Sequence, residues 1–374
     1  MAGIYLHIPF CRKKCHYCNF YSSASWKNKD AFVSALLQEI EIQKDYLQGE
    51  SIKTIYFGGG TPSVLSKKEL DLIFDQLNRT FEIEENAEIT LEANPDDLSE
   101  EKLIELSKTR VNRLSIGVQS FNDRDLKILN RAHDSQRAIQ VINNARKYGF
   151  DNLTIDLIYG IQGASNEVWG NNLNTVFELN IPHISCYSLT VEPKTPLENL
   201  IRKGKMPNVD EEQAIAQFEY LLEQMEAKGY QHYEISNFSK PGMHSRHNTA
   251  YWFGEKYLGL GPSAHSFDGN SRQWNVSNTS SYISNILKGD LIFEKEELSE
   301  DLRYNEYVMT SLRTMWGIDL DYLEVNFGAT RFGYCLKVAR RYHDEQKIDF
   351  CNQKICLTKK GKLFADQIAA EMFV

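Results

Sequence analysis

The chain has 374 residues and a formal net charge of −9, and its 42% hydrophobic and 25% charged residues are typical of a globular protein. The acidic balance argues against nucleic acid as a partner, because a nucleic-acid-binding surface needs a clustered basic face. Its apolar runs are too short to cross a bilayer, and no signal peptide precedes the first strand-like run. Seven cysteines, three of them within residues 11–18, do not resemble a secreted disulfide framework. We therefore expect a cytoplasmic protein without stable membrane insertion.

Short apolar runs alternate with helical patterns through the first half of the chain. This alternation predicts right-handed crossovers and a parallel sheet or barrel. Six strand–helix units predict an α/β fold with a partial (β/α)6 barrel, whose functional site lies at the carboxyl ends of the strands. The predicted strands are residues 5–8, 54–57, 88–92, 113–118, 152–159 and 183–189.

The pattern changes after residue 205. A helix over 210–228 precedes a stretch rich in glycine and aromatic residues, and helices then dominate from about residue 298. A hairpin around Asn352 and Gln353 separates them from a final helix, and Cys351 and Cys356 flank its turn, where they could face each other. We predict a barrel domain over 1–205 and a mixed α/β, winged-helix-like accessory domain over 206–374. Its fold-level likeness to DNA-binding modules says little about function.

Three cysteines near the start of the chain, Cys11, Cys15 and Cys18, are the strongest candidate metal ligands. The basic residues 12–14 between them favour the thiolate form. A structural zinc ion is the alternative, but it takes four ligands, and His16 lies between two of the cysteines, where it is a poor fourth ligand. A 4Fe–4S cluster held by three cysteines keeps one iron open to another ligand.

The Cys-x3-Cys-x2-Cys spacing resembles the signature of the radical SAM superfamily. The resemblance implies that S-adenosylmethionine (SAM) chelates the open iron, and that the radical chemistry belongs to the cofactor. Taken singly, a glycine run is a turn and a carboxylate is a solvated or capping residue. The SAM-binding positions that the resemblance implies are Tyr5, Tyr17, Gly59, Gly60, Thr61, Glu92, Gln119, Arg131 and Asp156.

The resemblance is closest to a subgroup that contains oxygen-independent coproporphyrinogen III dehydrogenases and heme chaperones. The dehydrogenases have a fourth cysteine two residues after the third, where this chain has Phe20. They also have a long extension before the cysteine loop, whereas ten residues precede Cys11 here. The run from His247 to Trp252 matches the His-Asn-x-x-Tyr-Trp motif of the chaperones. All three features favour the chaperone group.

This motif implies a heme contact by His247, with Tyr251 and Trp252 beside it. Imidazole is a common axial ligand of heme iron, and flat aromatic side chains suit the macrocycle. His244 and His265 are alternative ligands. The competing interpretation is that His247 is a hydrogen-bonded loop histidine and the two aromatic residues belong to the core.

The predicted function is therefore a heme chaperone that binds heme as cargo and delivers it to acceptor proteins, with a 4Fe–4S cluster and SAM. Peripheral contact with membrane heme proteins is compatible with this role. Two alternatives stay open. One is oxygen-independent coproporphyrinogen III dehydrogenase, which decarboxylates its substrate oxidatively to protoporphyrinogen IX. The other is a different radical SAM enzyme that acts on a tetrapyrrole.

Overall fold

The computed structural model describes residues 2–374, and its centre is a set of six parallel strands. Each strand pairs with the next along the chain, so the order in the sheet is the order in the sequence. This confirms the α/β fold and the six strand–helix units. The strands are β1 (Ala2–Ile8), β2 (Ile52–Gly59), β3 (Ile83–Ala93), β4 (Arg113–Gln119), β5 (Leu153–Tyr159) and β6 (His183–Ser188). The helices are α1 (Lys29–Ile42), α2 (Lys67–Thr80), α3 (Glu100–Leu106), α4 (Asp123–Ile128), α5 (Ser135–Lys147) and α6 (Asn166–Glu178), with a 3-10 turn at Pro62–Val64.

The six strands separate an apolar layer from a polar interior. On β4, Leu114 and Ile116 belong to the main hydrophobic core, whereas Arg113 and Ser115 line a cavity inside the barrel. Successive side chains of a strand point to opposite faces, which produces this alternation. The core therefore lies between the sheet and its helices, and the barrel interior is left for polar side chains.

The second half of the chain extends the same sheet at both edges. Strand β8 (Asn237–Ser239) pairs with β6, and strand β9 (Lys256–Leu260) pairs in parallel with β1. The main core also continues past residue 205, through Phe218 and Tyr282 to Ile286. We therefore propose a domain boundary near residue 298 in place of 205. These elements are α7 (Pro196–Arg202), α8 (Glu211–Ala227), β7 (Gln231–Glu234), β8 (Asn237–Ser239), α9 (Arg246–Trp252), β9 (Lys256–Leu260), β10 (His265–Phe267), β11 (Ser271–Asn275), α10 (Thr279–Ile286) and β12 (Phe293–Glu297).

The C-terminal part packs around a second core that runs from Tyr304 to Met372. The predicted hairpin is present, but Cys351 pairs with Lys354 and Cys356 pairs with Asp349, so the two cysteines do not face each other. The prediction that they could was wrong because a two-residue turn at Asn352 and Gln353 sets a register that pairs Cys351 with Lys354. The elements are α11 (Glu300–Leu312), β13 (Ile318–Asp319), α12 (Leu320–Asp344), β14 (Ile348–Cys351), β15 (Lys354–Leu357), α13 (Lys359–Lys362) and α14 (Ala365–Met372).

Helix α12 is 25 residues long, but a kink divides it. Gly328 has a φ of 81°, outside the helical range, and it separates the two helices that the sequence predicts over 320–327 and 331–343. Within residues 2–374, no helix combines the length and the apolar character needed to cross a membrane.

Candidate functional site

The three predicted cluster cysteines lie on one loop that follows β1. Backbone hydrogen bonds fasten its base: the Cys11 amide donates to the Ser23 carbonyl at 3.0 Å. Its middle is held by His16, whose backbone N–H contacts the Leu129 carbonyl at 3.2 Å and whose Nδ1 lies 2.9 Å from the Ile128 carbonyl. His16 therefore positions the loop.

The cysteines are free thiols of intermediate burial, with few polar partners. Burial raises the pKa of the Cys11 and Cys18 thiols, so a bound cation is needed to favour their thiolates. Arg131 Nη1 donates to Cys15 Sγ at 3.1 Å. Within residues 2–374, no three Cys, His, Asp or Glu side chains converge as one metal ion requires. In a cubane cluster each cysteine binds a different iron, and three soft thiols on one short loop fit that donor set.

A chain of hydrogen bonds links the cysteine loop to the ends of neighbouring strands. The Thr61 hydroxyl donates to Cys11 Sγ at 3.5 Å and accepts from Asn94 Nδ2 at 3.1 Å. Arg131 Nη2 donates to Asn94 Oδ1 at 2.6 Å, which closes the path to Cys15. The sequence analysis assigned no role to Asn94. Its place just after the predicted strand that carries Glu92 could have identified it.

Arg131 keeps one donor unused. The guanidinium Nε is buried and has no hydrogen-bond partner among the described residues. A buried donor without a partner costs free energy, which an anionic group of a ligand placed there would recover. This orphaned atom fits Arg131 as one of the predicted SAM-binding positions.

The glycine run at the end of β2 is required by the protein itself. A Cβ on Gly60 would lie 2.7 Å from the Ile8 carbonyl oxygen. Gly59 has a φ of 103°, and a Cβ there would lie 2.6 Å from the His7 ring. The glycines thus let the end of β2 lie against β1, which brings their backbone to the rim of the barrel beside the cysteine loop.

Two half-buried carboxylates, Glu92 and Asp156, line one cavity inside the barrel. Burial raises the pKa of Glu92 to about 7, although the Tyr56 hydroxyl donates to Oε1 at 2.8 Å and opposes the shift. Burial likewise raises the pKa of Asp156 to about 6, against the effects of Ser185 and Arg113. The cavity has a volume of about 50 Å³, which is too small for a tetrapyrrole.

Arg113 lines the same cavity and was missed by the sequence analysis. It is 1% exposed, and its Nε and Nη2 have no hydrogen-bond partner among the described residues. A buried guanidinium is costly unless opposite charges lie near it, and here it faces Asp156. Arg113 and Ser115 lie two residues apart in an otherwise apolar run, so they point to the same face of the strand. This spacing indicates a polar inward face and could have identified Arg113.

The remaining predicted SAM residues lie on the same side of the barrel as the cysteine loop. The Tyr5 ring stacks on Tyr56, and its hydroxyl lies 3.2 Å from His7 Nδ1. Tyr17 packs against a small apolar cluster beside the cysteine loop. Gln119, at the end of β4, is buried and has a φ of 71°, a conformation that costs energy outside glycine. Strain of this kind is common where a ligand is held.

His247 occupies the opposite, amino end of the strands. It is 2% exposed, its Nδ1 lies 2.7 Å from the Thr54 hydroxyl, and its Nε2 lies 2.9 Å from the Tyr251 hydroxyl. Burial lowers its pKa to about 3. Both ring nitrogens are therefore engaged, which agrees with the alternative of a hydrogen-bonded histidine. The predicted heme contact of His247 and Tyr251 stays a prediction, and this geometry does not favour it.

Trp252 and the two alternative histidines lie elsewhere. The Arg313 guanidinium lies 5.8 Å from the Trp252 ring centre. His244 Nε2 lies 3.0 Å from Gln231 Oε1, and His265 is an exposed residue stacked on Trp274. The residues that the motif from His247 to Trp252 suggests for heme therefore do not form one site in the structure.

Comparison with known proteins identifies the family of the chain. The profile of the radical SAM superfamily matches residues 5–175, and that of the HemN C-terminal domain matches residues 298–364. The chain is 36% identical to heme chaperone HemW of Bacillus subtilis (strain 168) over 98% of each chain. It is 33% identical to heme chaperone HemW of Lactococcus lactis, covering 96% of this chain and 92% of that one. A solved structure, coproporphyrinogen III oxidase (HemN) from Escherichia coli, a radical SAM enzyme, is similar with a TM-score of 0.87 and 26% identity, covering 100% of this chain and 90% of that one. The chain therefore belongs to the HemW family of the radical SAM superfamily.

Proposed function

We propose that this chain is a heme chaperone, which binds heme and delivers it to acceptor proteins with the help of a 4Fe–4S cluster and SAM. The main support is the near full-length similarity to proteins named heme chaperone HemW. Membership of the radical SAM superfamily implies the cluster and SAM. The protein acts in the cytoplasm, without nucleic acid, and meets membrane heme proteins only peripherally.

The proposal gives each rim residue a task. Cys11, Cys15 and Cys18 hold the cluster, and Arg131 binds the SAM carboxylate through its unpartnered Nε. Glu92 and Asp156, as ionised carboxylates, accept hydrogen bonds from the hydroxyl and ammonium groups of SAM. When bound, the cluster with SAM supplies one-electron chemistry. The pocket around SAM is shaped by the other predicted SAM-binding residues, Tyr5, Tyr17, Gly59, Gly60, Thr61 and Gln119.

A second candidate is the oxidative decarboxylation of coproporphyrinogen III. It is favoured by the similarity to the HemN structure from Escherichia coli, which extends over the whole chain. Phe20 argues against it, because this side chain stands where the dehydrogenase subgroup has a fourth cysteine. It is also 67% exposed, so it is not a core residue.

One anaerobic experiment tests both candidates. The protein with reconstituted cluster receives SAM, a reductant and coproporphyrinogen III in one reaction, and heme followed by the apo form of a b-type cytochrome in another. We expect no protoporphyrinogen IX, and transfer of heme to the cytochrome at a rate different from that of free heme. Formation of protoporphyrinogen IX would overturn the chaperone proposal, and so would transfer that is indistinguishable from that of free heme.

A further inference from the structure

An aromatic surface lies where the barrel meets the C-terminal part, and it includes a histidine. We define the aromatic crevice as His244, Phe253, Met315 and Trp316, bordered by Trp252 and Arg313. The His244 ring lies 5.7 Å from the Trp316 ring, edge to face, and Phe253 lies 4.8 Å from Trp316. Phe253 is 56% exposed, and Met315 is exposed as well. Apolar side chains of this size in one exposed group mark an interaction site more often than chance.

The position of α9 explains why these side chains face outward. His247 and Tyr251 lie four residues apart on one face of α9. Their side chains form a hydrogen bond to each other inside the barrel. Trp252 and Phe253 follow on another side of the helix end, where Trp252 meets Arg313 and Phe253 meets Trp316. The motif that suggested heme is therefore divided: its histidine secures the helix, and its last aromatic residue borders the crevice.

His244 has the properties of an available ligand. Its Nε2 lies 3.0 Å from Gln231 Oε1, and within residues 2–374 its Nδ1 has no hydrogen-bond partner. Burial lowers the pKa of His244, so the neutral imidazole that binds iron prevails near neutral pH. His247, three residues on, offers neither a free nitrogen nor space for a macrocycle.

We propose that heme binds in the aromatic crevice, with His244 as an axial ligand of the iron and Arg313 beside a propionate. This inference rests on the proposed heme-chaperone function and assigns a site to it. The Phe253 and Trp316 rings supply flat apolar surface for the macrocycle. Arg313 pairs with Asp366, a carboxylate that is 82% exposed, so a propionate can replace it at small cost. A surface site also allows heme to leave for an acceptor, which an interior cavity would hinder.

The test of the ligand uses His244→Gln in the cluster-loaded, SAM-bound protein. Glutamine can keep the hydrogen bond to Gln231 but cannot replace imidazole on iron. His343→Gln is the matched control, because His343 is an exposed histidine on α12. Heme is titrated into each protein, with the same cluster-loaded protein without heme as the spectral reference. We expect the Soret maximum to shift and heme affinity to fall by about tenfold or more in His244→Gln, and neither to change in His343→Gln.

The outcomes separate the site from the function. If heme binds to His244→Gln with unchanged spectrum and affinity, heme lies elsewhere, and the site is overturned while the chaperone function stands. If the unmodified protein binds no heme, both fail. A variant that loses helical circular dichroism is replaced by His244→Tyr, whose phenolate would give a distinct high-spin spectrum only if this position ligates the iron.

The propionate contact has its own test, which does not depend on the iron ligand. Heme and its dimethyl ester are titrated into the unmodified protein and into Arg313→Gln. We expect esterification to weaken binding by about tenfold in the unmodified protein, as loss of a charge-assisted hydrogen bond would, and to have little effect in Arg313→Gln. If esterification weakened heme binding equally in both proteins, Arg313 would not contact a propionate.

Discussion

Polar side chains lie at both ends of the barrel, but the two ends differ in how far the hydrogen-bonding groups of these side chains already have partners. At the carboxyl end, Arg131 Nε has no hydrogen-bond partner among the described residues, and the three cysteines of the loop are free thiols. At the amino end, α9 covers the strands, and Glu88 accepts the backbone N–H groups of Arg246 and His247 at 3.0 Å each. His247 itself is saturated. The difference indicates that the rim beside the cysteine loop retains binding capacity for a ligand, whereas His247 does not.

Two glutamates show why burial and pKa alone do not identify such capacity. Burial raises the pKa of both Glu39 and Glu92 to about 7. Glu39 accepts from the Gly261 amide, Asn275 Nδ2 and the Tyr282 hydroxyl, so the protein uses it fully. Glu92 has one side-chain donor, Tyr56, and lines a cavity. Unused hydrogen-bonding capacity, and not the pKa, distinguishes a ligand site from a structural one.

The largest expected effect comes from removing a cluster cysteine. We predict that Cys15→Ser lowers iron and sulfide after anaerobic reconstitution from about four of each per chain to nearly none, because two thiolates do not hold a cubane. Cys351→Ser is the matched control, since Cys351 is an exposed free thiol on the C-terminal hairpin. Metal analysis and the visible spectrum measure the result. Full iron content in Cys15→Ser would contradict the assignment of this loop.

The next effect concerns the pH dependence of SAM binding. With carboxyl pKa values of about 7 for Glu92 and about 6 for Asp156, both groups ionise as pH rises through this range, and SAM affinity should rise with them. Arg113 favours the ionised form of Asp156. We therefore predict that Arg113→Met moves the midpoint to higher pH and weakens SAM binding below it by about tenfold, the equivalent of one pKa unit.

Equilibrium dialysis under anaerobic conditions across this pH range measures the Arg113 effect. Arg113→Lys should restore the profile, because it keeps the positive charge. Arg146→Met, which removes a surface arginine bonded to the Asn180 carbonyl, should leave it unchanged. An identical midpoint in Arg113→Met and the unmodified protein would show that Arg113 does not act through the carboxylates.

Replacing Glu39 should change the free energy of unfolding but not the binding of a ligand. Glu39→Gln places an amide donor against the donors of Gly261, Asn275 or Tyr282 and should lower the free energy of unfolding by about 2–3 kcal/mol at pH 4.5. Because the folded-state pKa of Glu39 lies above its usual value of 4.5, its contribution is fully present below pH 4.5 and is lost as pH rises through about 7. Denaturant unfolding at several pH values should show that slope vanish in Glu39→Gln. Glu41→Gln, an exposed neighbour on α1, is the control.

The sequence predicted local features well and long-range ones poorly. The spacing of Cys11, Cys15 and Cys18 and the six strand–helix units depend on residues close in the chain, and the fold confirms the six units. The parallel pairing of β9 with β1, which aligns Tyr5 with Gly259, joins segments about 250 residues apart and left no local pattern. The domain boundary predicted at residue 205 did not allow for such pairing.

Side-chain direction was the other feature that the sequence did not reveal. The His-Asn-x-x-Tyr-Trp motif identifies a short helix, but not which face turns toward the barrel. A single buried hydrogen bond to Thr54, almost 200 residues earlier in the chain, decides the direction of His247. Arg113 was missed for a related reason, because an inward polar residue was hidden in a run that was interpreted as uniformly apolar.

The smallest predicted effect tests the amino end directly. Thr54→Val keeps the shape of the side chain but leaves His247 Nδ1 without its partner at 2.7 Å. We predict a loss of about 1–2 kcal/mol in the free energy of unfolding, the cost of an unsatisfied buried polar group, and no change in SAM affinity. Thr175→Val is the control, because its hydroxyl bonds the Asn171 carbonyl on an exposed helix and should change stability by less than about 0.5 kcal/mol. If Thr54→Val instead weakened SAM binding without lowering stability, the amino end would take part in the ligand site, and the contrast between the two ends would not hold.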